Sequence, residues 1–172
     1  MLNNPALFVQ HETLYLVVEC LAFVRTTLDF THSSIQVFAT RPDESPSQWT
    51  WRHVGKLAGH ELAVELDTET IQQPEITLAA DGKMLALLTP AHKDSTIPVG
   101  TVGDGCVALE MDSIDPPALA RDDGGNVIVR ASVRGTHVGS CTYDRTSATG
   151  IVAVSTGPRN GNWTLLASKL RP

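Results

Sequence analysis

The chain has 172 residues, 42% of them hydrophobic and 19% charged, and a formal net charge of −6. That length and apolar content suffice for one domain with a buried core, and 13 Gly, 10 Pro and few aromatics suit a turn-rich all-β protein. The acidic balance, with no cluster of Lys and Arg, argues against a nucleic-acid partner and for an uncharged ligand or none.

Met1-Leu2-Asn3-Asn4-Pro5 has no basic segment followed by an apolar run, so no secretory signal is expected there. The longest apolar run, Leu14 to Val24, is interrupted by Glu19 and too short for a membrane span. Cys20, Cys106 and Cys141 are odd in number and lack metal-ligand spacing. They read as reduced, half-buried strand residues, and with them a cytoplasmic protein without a membrane partner is expected.

Asn4 to Val18 reads as strand, tight turn and second strand, and the same pattern recurs without gaps at Gln73 to Leu88 and at Asp115 to Val129. Each copy opens on a proline, at Pro5, Pro74 and Pro116, which stand 69 residues apart (5 to 74) and then 42 apart (74 to 116). Two and four residues further on come Leu7 and Val9, Ile76 and Leu78, Ala118 and Ala120, the alternation of a half-buried strand. Turns are expected at Glu12-Thr13, Asp81-Gly82 and Asp123-Gly124, the last two being strong hairpin dipeptides. Leu14 to Val18, Met84 to Leu88 and Val127 to Val129 then read as strands buried on both faces.

A second strand pair follows twice. Ser34 to Thr40 leads to Trp49 to Val54, and Gly150 to Thr156 leads to Trp163 to Leu166. Two hairpins make a four-stranded sheet, and such sheets in series predict propeller blades at about 3–59, 60–112 and 113–172. Between them, Phe23 to Ser33, Arg41 to Gln48 and His92 to Asp104 read as loops, the last around at most one short strand. Glu61 to Ile71 has helical spacing but precedes a repeat and reads as a linker. Trp49 and Trp51 share a face, where packing between blades is favoured over a ligand platform.

An Asn-Pro or Asp-Pro opening, a D-G hairpin, an Ile-x-Val-x-(Ala/Ser)-Thr strand and a Trp-Thr pair together resemble the propeller glycosidases of the arabinanase and invertase type, and more loosely the sialidases. The resemblance implies a polar axis faced by the pre-proline residues Asn4, Gln73 and Asp115, with an acid at such a position catalytic and a glutamate elsewhere as general acid. The sialidase Asp-box would need Asp at Pro158 and Gly at Asn160 and is absent. Three blades do not close a ring, so an incomplete propeller is expected, completed by a second copy in a homodimer or capped by the chain's own insertions.

Glycoside hydrolysis needs two carboxylates flanking one bond. Asp115, Glu19 and Glu75 are the candidate catalytic acids, and Asn4, Gln73 and Tyr143 the candidate ligand-binding residues. Glu19 ends an apolar strand, which is costly unless it is paired or reaches a cavity, whereas Asp115 before Pro116 also suits turn capping. The histidines show no ligand spacing, so neither a metal nor another cofactor is expected. Three functions follow: a non-catalytic carbohydrate-binding propeller fragment, a glycoside hydrolase, or a structural protein without a small ligand.

Overall fold

In the computed structural model, which describes residues 1–42, 45–95, 100–144, 150–155 and 164–171, the chain is all-β. Three antiparallel propeller-like sheets succeed one another along the sequence. The first is a meander of β1 (Leu2–Gln10), β2 (Thr13–Val24), β3 (Thr27–Thr40) and β4 (Arg52–Ala58). The second comprises β5 (Thr70–Leu78), β6 (Met84–Lys93), β7 (Thr101–Gly103), β8 (Gly105–Ile114), β9 (Pro117–Leu119) and β10 (Val129–Arg134). Its order is β5-β6-β8-β10, with β7 against β6 and β9 against β8. The third is β11 (Val138–Asp144), β12 (Gly150–Ser155) and β13 (Thr164–Ser168).

The alternation of side chains explains why the middle sheet reads as continuously apolar. Ala86, Leu88, Val107 and Leu109 face the first sheet and meet Phe8, Tyr15, Val17, Ile35 and Val37. Leu85, Leu87, Cys106 and Ala108 face the other way and meet Val138, Cys141, Ile151 and Ala153 of the third sheet. A strand between two sheets needs apolar residues on both faces, and β6 and β8 supply them.

Several expectations are corrected. The second sheet extends to Arg134 and does not end near residue 112. Pro116 therefore opens no inner strand: β9 and β10 both pair with β8. The turn between them is real, since the Asp122 carboxylate accepts the N–H groups of Gly124 and Asn126. Its flanks meet only at the bridge Arg121–Val127 and otherwise prefer the longer edge of β8. Pro5 and Pro74 lie inside β1 and β5 and do not open them. The first turn falls at His11-Glu12, where both residues have positive φ. Phe23 to Ser33 is a continuation of the β2–β3 hairpin, paired as far as Val24 with Thr27. His60–Glu65 is a short helix, α1, because Leu62 and Ala63 turn into the first core. Trp163 lies outside the described residues.

The cysteine reading is also corrected, for Cys106 and Cys141 form a disulfide that joins β8 to β11, with Cα atoms 5.6 Å apart, while Cys20 is free. The geometry permits it because the two residues face each other across the second core.

At the chain's far end, Arg130 ties three segments together. Its guanidinium donates to Glu110 Oε2 at 2.8 Å, to Asp81 Oδ2 at 2.7 Å and to the Arg171 carbonyl at 2.6 Å. Lys83 Nζ meets the other Glu110 oxygen at 2.5 Å. The Lys83 ammonium, and then Arg130, hold the Glu110 carboxyl below its ordinary value.

Two outcomes follow. Arg130→Met removes one of the two cations on the buried Glu110 carboxylate and leaves Lys83 as its partner, and should cost about 1.5–3 kcal/mol in urea unfolding. Reducing the Cys106–Cys141 link, which closes 35 residues, should cost about 4 kcal/mol. A titration of the denatured, unreduced chain that finds three free thiols would disprove that link.

Candidate functional site

The inner strands of the three sheets share one irregularity. Asn4, Gln73 and Ser140 have φ of 46°, 50° and 52°, a conformation uncommon for residues with a Cβ. Each starts a two-residue bulge, at 4–5, 73–74 and 140–141, where the pairing register shifts. A bulged residue leaves the ladder and turns its N–H elsewhere. The Gln73 backbone amide lies beside the Glu19 carboxylate on β2 of the first sheet and favours its charged form. Ser140 N–H donates to Gln73 Oε1 of the second sheet at 2.8 Å. The second joint between sheets is thus pinned by a hydrogen bond from its bulge to the sheet before it, and at the first the bulge amide stands beside a buried carboxylate.

The acceptors are themselves held. Asn4 Nδ2 donates to Glu19 Oε2 at 2.8 Å, and Thr89 Oγ1 donates to Gln73 Oε1 at 3.0 Å. Glu19 is 1% exposed, and its Oε1 has no hydrogen-bond partner. Burial pushes its pKa up, and the Asn4 bond and the Gln73 amide only partly oppose that. Beside the second joint is a polar cavity of about 160 Å³ lined by Gln72, Gln73, Thr89, Thr101, His137 and Ser140. Gly139 keeps this approach close, because a Cβ there would stand 3.0 Å from the Thr89 methyl. The cavity is smaller than the roughly 300 Å³ at which small-molecule sites begin.

The structure therefore gathers Asn4, Glu19 and Gln73, and disperses the other three candidates. Glu75 is half-buried on β5 opposite Leu87, which faces the third sheet, whereas Glu19 lies between the first and second sheets. The second sheet separates these two carboxylates. The Tyr143 hydroxyl accepts the Ala80 N–H at 3.1 Å, and the ring packs on the second core. Asp115 occupies the β8–β9 turn, so it is not the third equivalent of Asn4 and Gln73; Ser140 is. No sequence signal pointed to Ser140, because Cys141 stands where the first two bulges have proline.

Asp115 belongs to a different cleft, at the end of the first sheet where β1 turns into β2. Measured along β1, six residues from Asn4 to Gln10, this is roughly 20 Å from the bulge. Asp115 Oδ2 meets Arg52 Nη2 at 2.5 Å, and its N–H is held by Ser113 Oγ at 3.1 Å. Thr13, Thr40, Arg41, Thr50, Arg52 and Asp115 line a cavity of about 410 Å³. A second cavity of about 490 Å³, lined by His11, Glu12, Arg41 and Pro42, adjoins it through Arg41. Trp49 and Trp51 flank Thr50 with ring centroids 6.2 Å apart, edge to face. Both are half-exposed and outside the two cores, so they do not serve as packing between sheets. None of the three cavities is lined by two carboxylates. Among the described residues no group of three or more His, Cys, Asp or Glu is placed to hold a metal ion.

No protein-family profile and no curated sequence matches the chain. Among solved structures it is similar to an exo-1,5-alpha-L-arabinanase from a bovine ruminal metagenomic library, with TM-score 0.36 and 12% identity. The likeness covers 95% of this chain and 72% of that one. At that level it is a likeness of loose all-β fold and says nothing of activity.

Glu19 sets a pH dependence. Its pKa is raised above the ordinary 4.5, so the folded state holds the proton in a window where the unfolded chain has released it. By linkage the group's contribution to stability is fullest below pH 4.5 and is lost as pH rises through the folded value. Glu19→Gln should therefore gain stability relative to the parent as pH rises from 4 to 8. A difference in unfolding free energy that is flat across that range would contradict a raised pKa.

Proposed function

We propose that this protein is a non-catalytic carbohydrate-binding protein, and that its ligand occupies the cleft at the turn end of the first sheet. The observation that carries the reading is the make-up of that cleft. Three threonine hydroxyls, two arginines and one carboxylate converge on about 410 Å³ beside a tryptophan pair. Sugar rings present hydroxyls at the rim and C–H groups on the face, and such a lining supplies partners for both. Asp115 holds Arg52 in one orientation, which fixes the direction of its remaining donors.

The hydrolase alternative is less well supported. Hydrolysis requires a second carboxylate across the scissile bond and an acid of raised pKa. Asp115 is the one carboxylate lining this cavity and is engaged by Arg52, while the acid with a raised pKa, Glu19, is sealed at the other end of the sheet.

Titration with arabino-, fructo- and sialyl-oligosaccharides, followed by tryptophan fluorescence and calorimetry, tests the proposal. Binding of at least one class is expected, weakened about tenfold or more by Trp51→Ala and by Arg52→Ala, a loss of about 1.4 kcal/mol. Gln73→Asn, at the far joint, should leave the affinity unchanged. No binding by any of the three classes, or cleavage of a bound glycan, would overturn it.

A further inference from the structure

The first sheet carries an apolar face with no sheet against it, and the molecule itself indicates what fits there. On that face Leu7 pairs with Leu16, Leu16 with Phe38 and Phe38 with His53, while Gln36 pairs with Lys56, so its β1 and β2 side is apolar and its β4 side polar. Leu7 is 62% exposed, Val9 beside it likewise 62%, and Leu16 and Phe38 are half-exposed. In the second sheet Ile76 pairs with Ala86 and Ala86 with Leu109. Counted from the bulges at Asn4 and Gln73, these are the same rungs: Leu7 and Ile76 each come three residues later. Ile76, Ala86 and Leu109 are buried because the opposite face of the first sheet covers them. The exposed face of the first sheet is thus built like one that is covered, inside this molecule, by the opposite face of a preceding sheet.

The third sheet offers such an opposite face. Ile151 and Ala153 point into the second core with Leu166, so Leu165 points away from it and is 71% exposed. Ala167 and Thr142, both exposed, lie on the same side.

We propose that two copies of this chain associate head to tail, the third sheet of each covering the first sheet of the other, so that six sheets close about a twofold axis. Area favours this over a single contact between two first sheets. A four-stranded face about 20 Å long and about 19 Å across offers roughly 400 Å², and a three-stranded one roughly 300 Å². Each copy contributes both, roughly 700 Å², close to the roughly 800 Å² per partner of a stable interface, whereas one face alone gives about half of that. Closure by rotation also leaves no free face for further growth.

Light scattering on chromatographed protein at micromolar concentration should give a dimer. Leu7→Glu and Leu165→Glu, both at exposed positions, should each give a monomer of unchanged circular dichroism. An equimolar mixture of the two should stay monomeric, because it restores one of the two contacts, about half the area, and sets both introduced carboxylates in the other. Val9→Glu is the substitute should Leu7→Glu fail to fold. A monomeric parent chain overturns the proposal, and so does a Leu165→Glu variant that stays dimeric, which would mean first sheets packing on each other. Oligomers that keep growing with concentration overturn it as well, since the contact would then not close.

Discussion

The structure depends on where two backbone N–H groups go, those of Gln73 and Ser140. A bulge frees an amide from its own ladder, and a buried amide without an acceptor costs about as much as a lost hydrogen bond. The Ser140 amide finds its acceptor in the sheet before, the Gln73 side-chain oxygen, and the Gln73 amide lies beside the Glu19 carboxylate of the first sheet. These two polar contacts fix the height at which successive sheets meet, and the apolar faces then pack at that height. Hydrophobic burial alone is non-directional and would tolerate a slip along the strands. The polar joints remove that freedom, with the buried Glu19 as the cost.

The two joints also show that the acceptor's role can pass from one residue to another as its chemistry changes. In the first, β2 supplies a carboxylate steadied by the side chain of Asn4. In the second, β6 supplies only the Thr89 hydroxyl, and the longer Gln73 side chain becomes the acceptor. Exchanging charge for a neutral amide removes most of the desolvation cost. The second joint can therefore adjoin a small wet cavity without a buried ion, whereas the first is sealed around one.

How much of this could be read from the sequence follows from the same physics. Proline lacks an N–H and is tolerated in a strand at a bulge, so Pro5 and Pro74 marked two of the three inner strands correctly, though as interruptions and not as beginnings. The third bulge has Ser140-Cys141 and no such mark, while Pro116 carries one for another reason, the turn out of β8. Asp81-Gly82 and Asp122 to Asn126 announced their turns, because a turn is decided by a few adjacent residues. Which strand the flank beyond Asp122 would join was decided by residues twenty or more positions back, Val129 on Leu109 and Arg134 on Gly105, and no local pattern contains that. The Cys106–Cys141 link was hidden for the same reason: it records a contact between sheets.

The candidate site divides along the length of the first sheet. Polar residues near the inner strands were identified as a group, but a strand has two ends, and sequence gives position along a strand only relative to its own turn. Asn4, Glu19 and Gln73 lie at one end and are consumed by the joint, each with a bond that the fold requires. Thr13, Thr40, Arg52 and Asp115 lie at the other, where β1 has turned and the backbone needs nothing further from those side chains. The same separation explains Glu19: a carboxylate sealed at 1% exposure with donors on one oxygen is well placed to hold a neighbouring sheet and badly placed to meet a substrate. Side chains free to take a ligand are found where the fold makes the fewest demands on them, and in this chain that is the turn end.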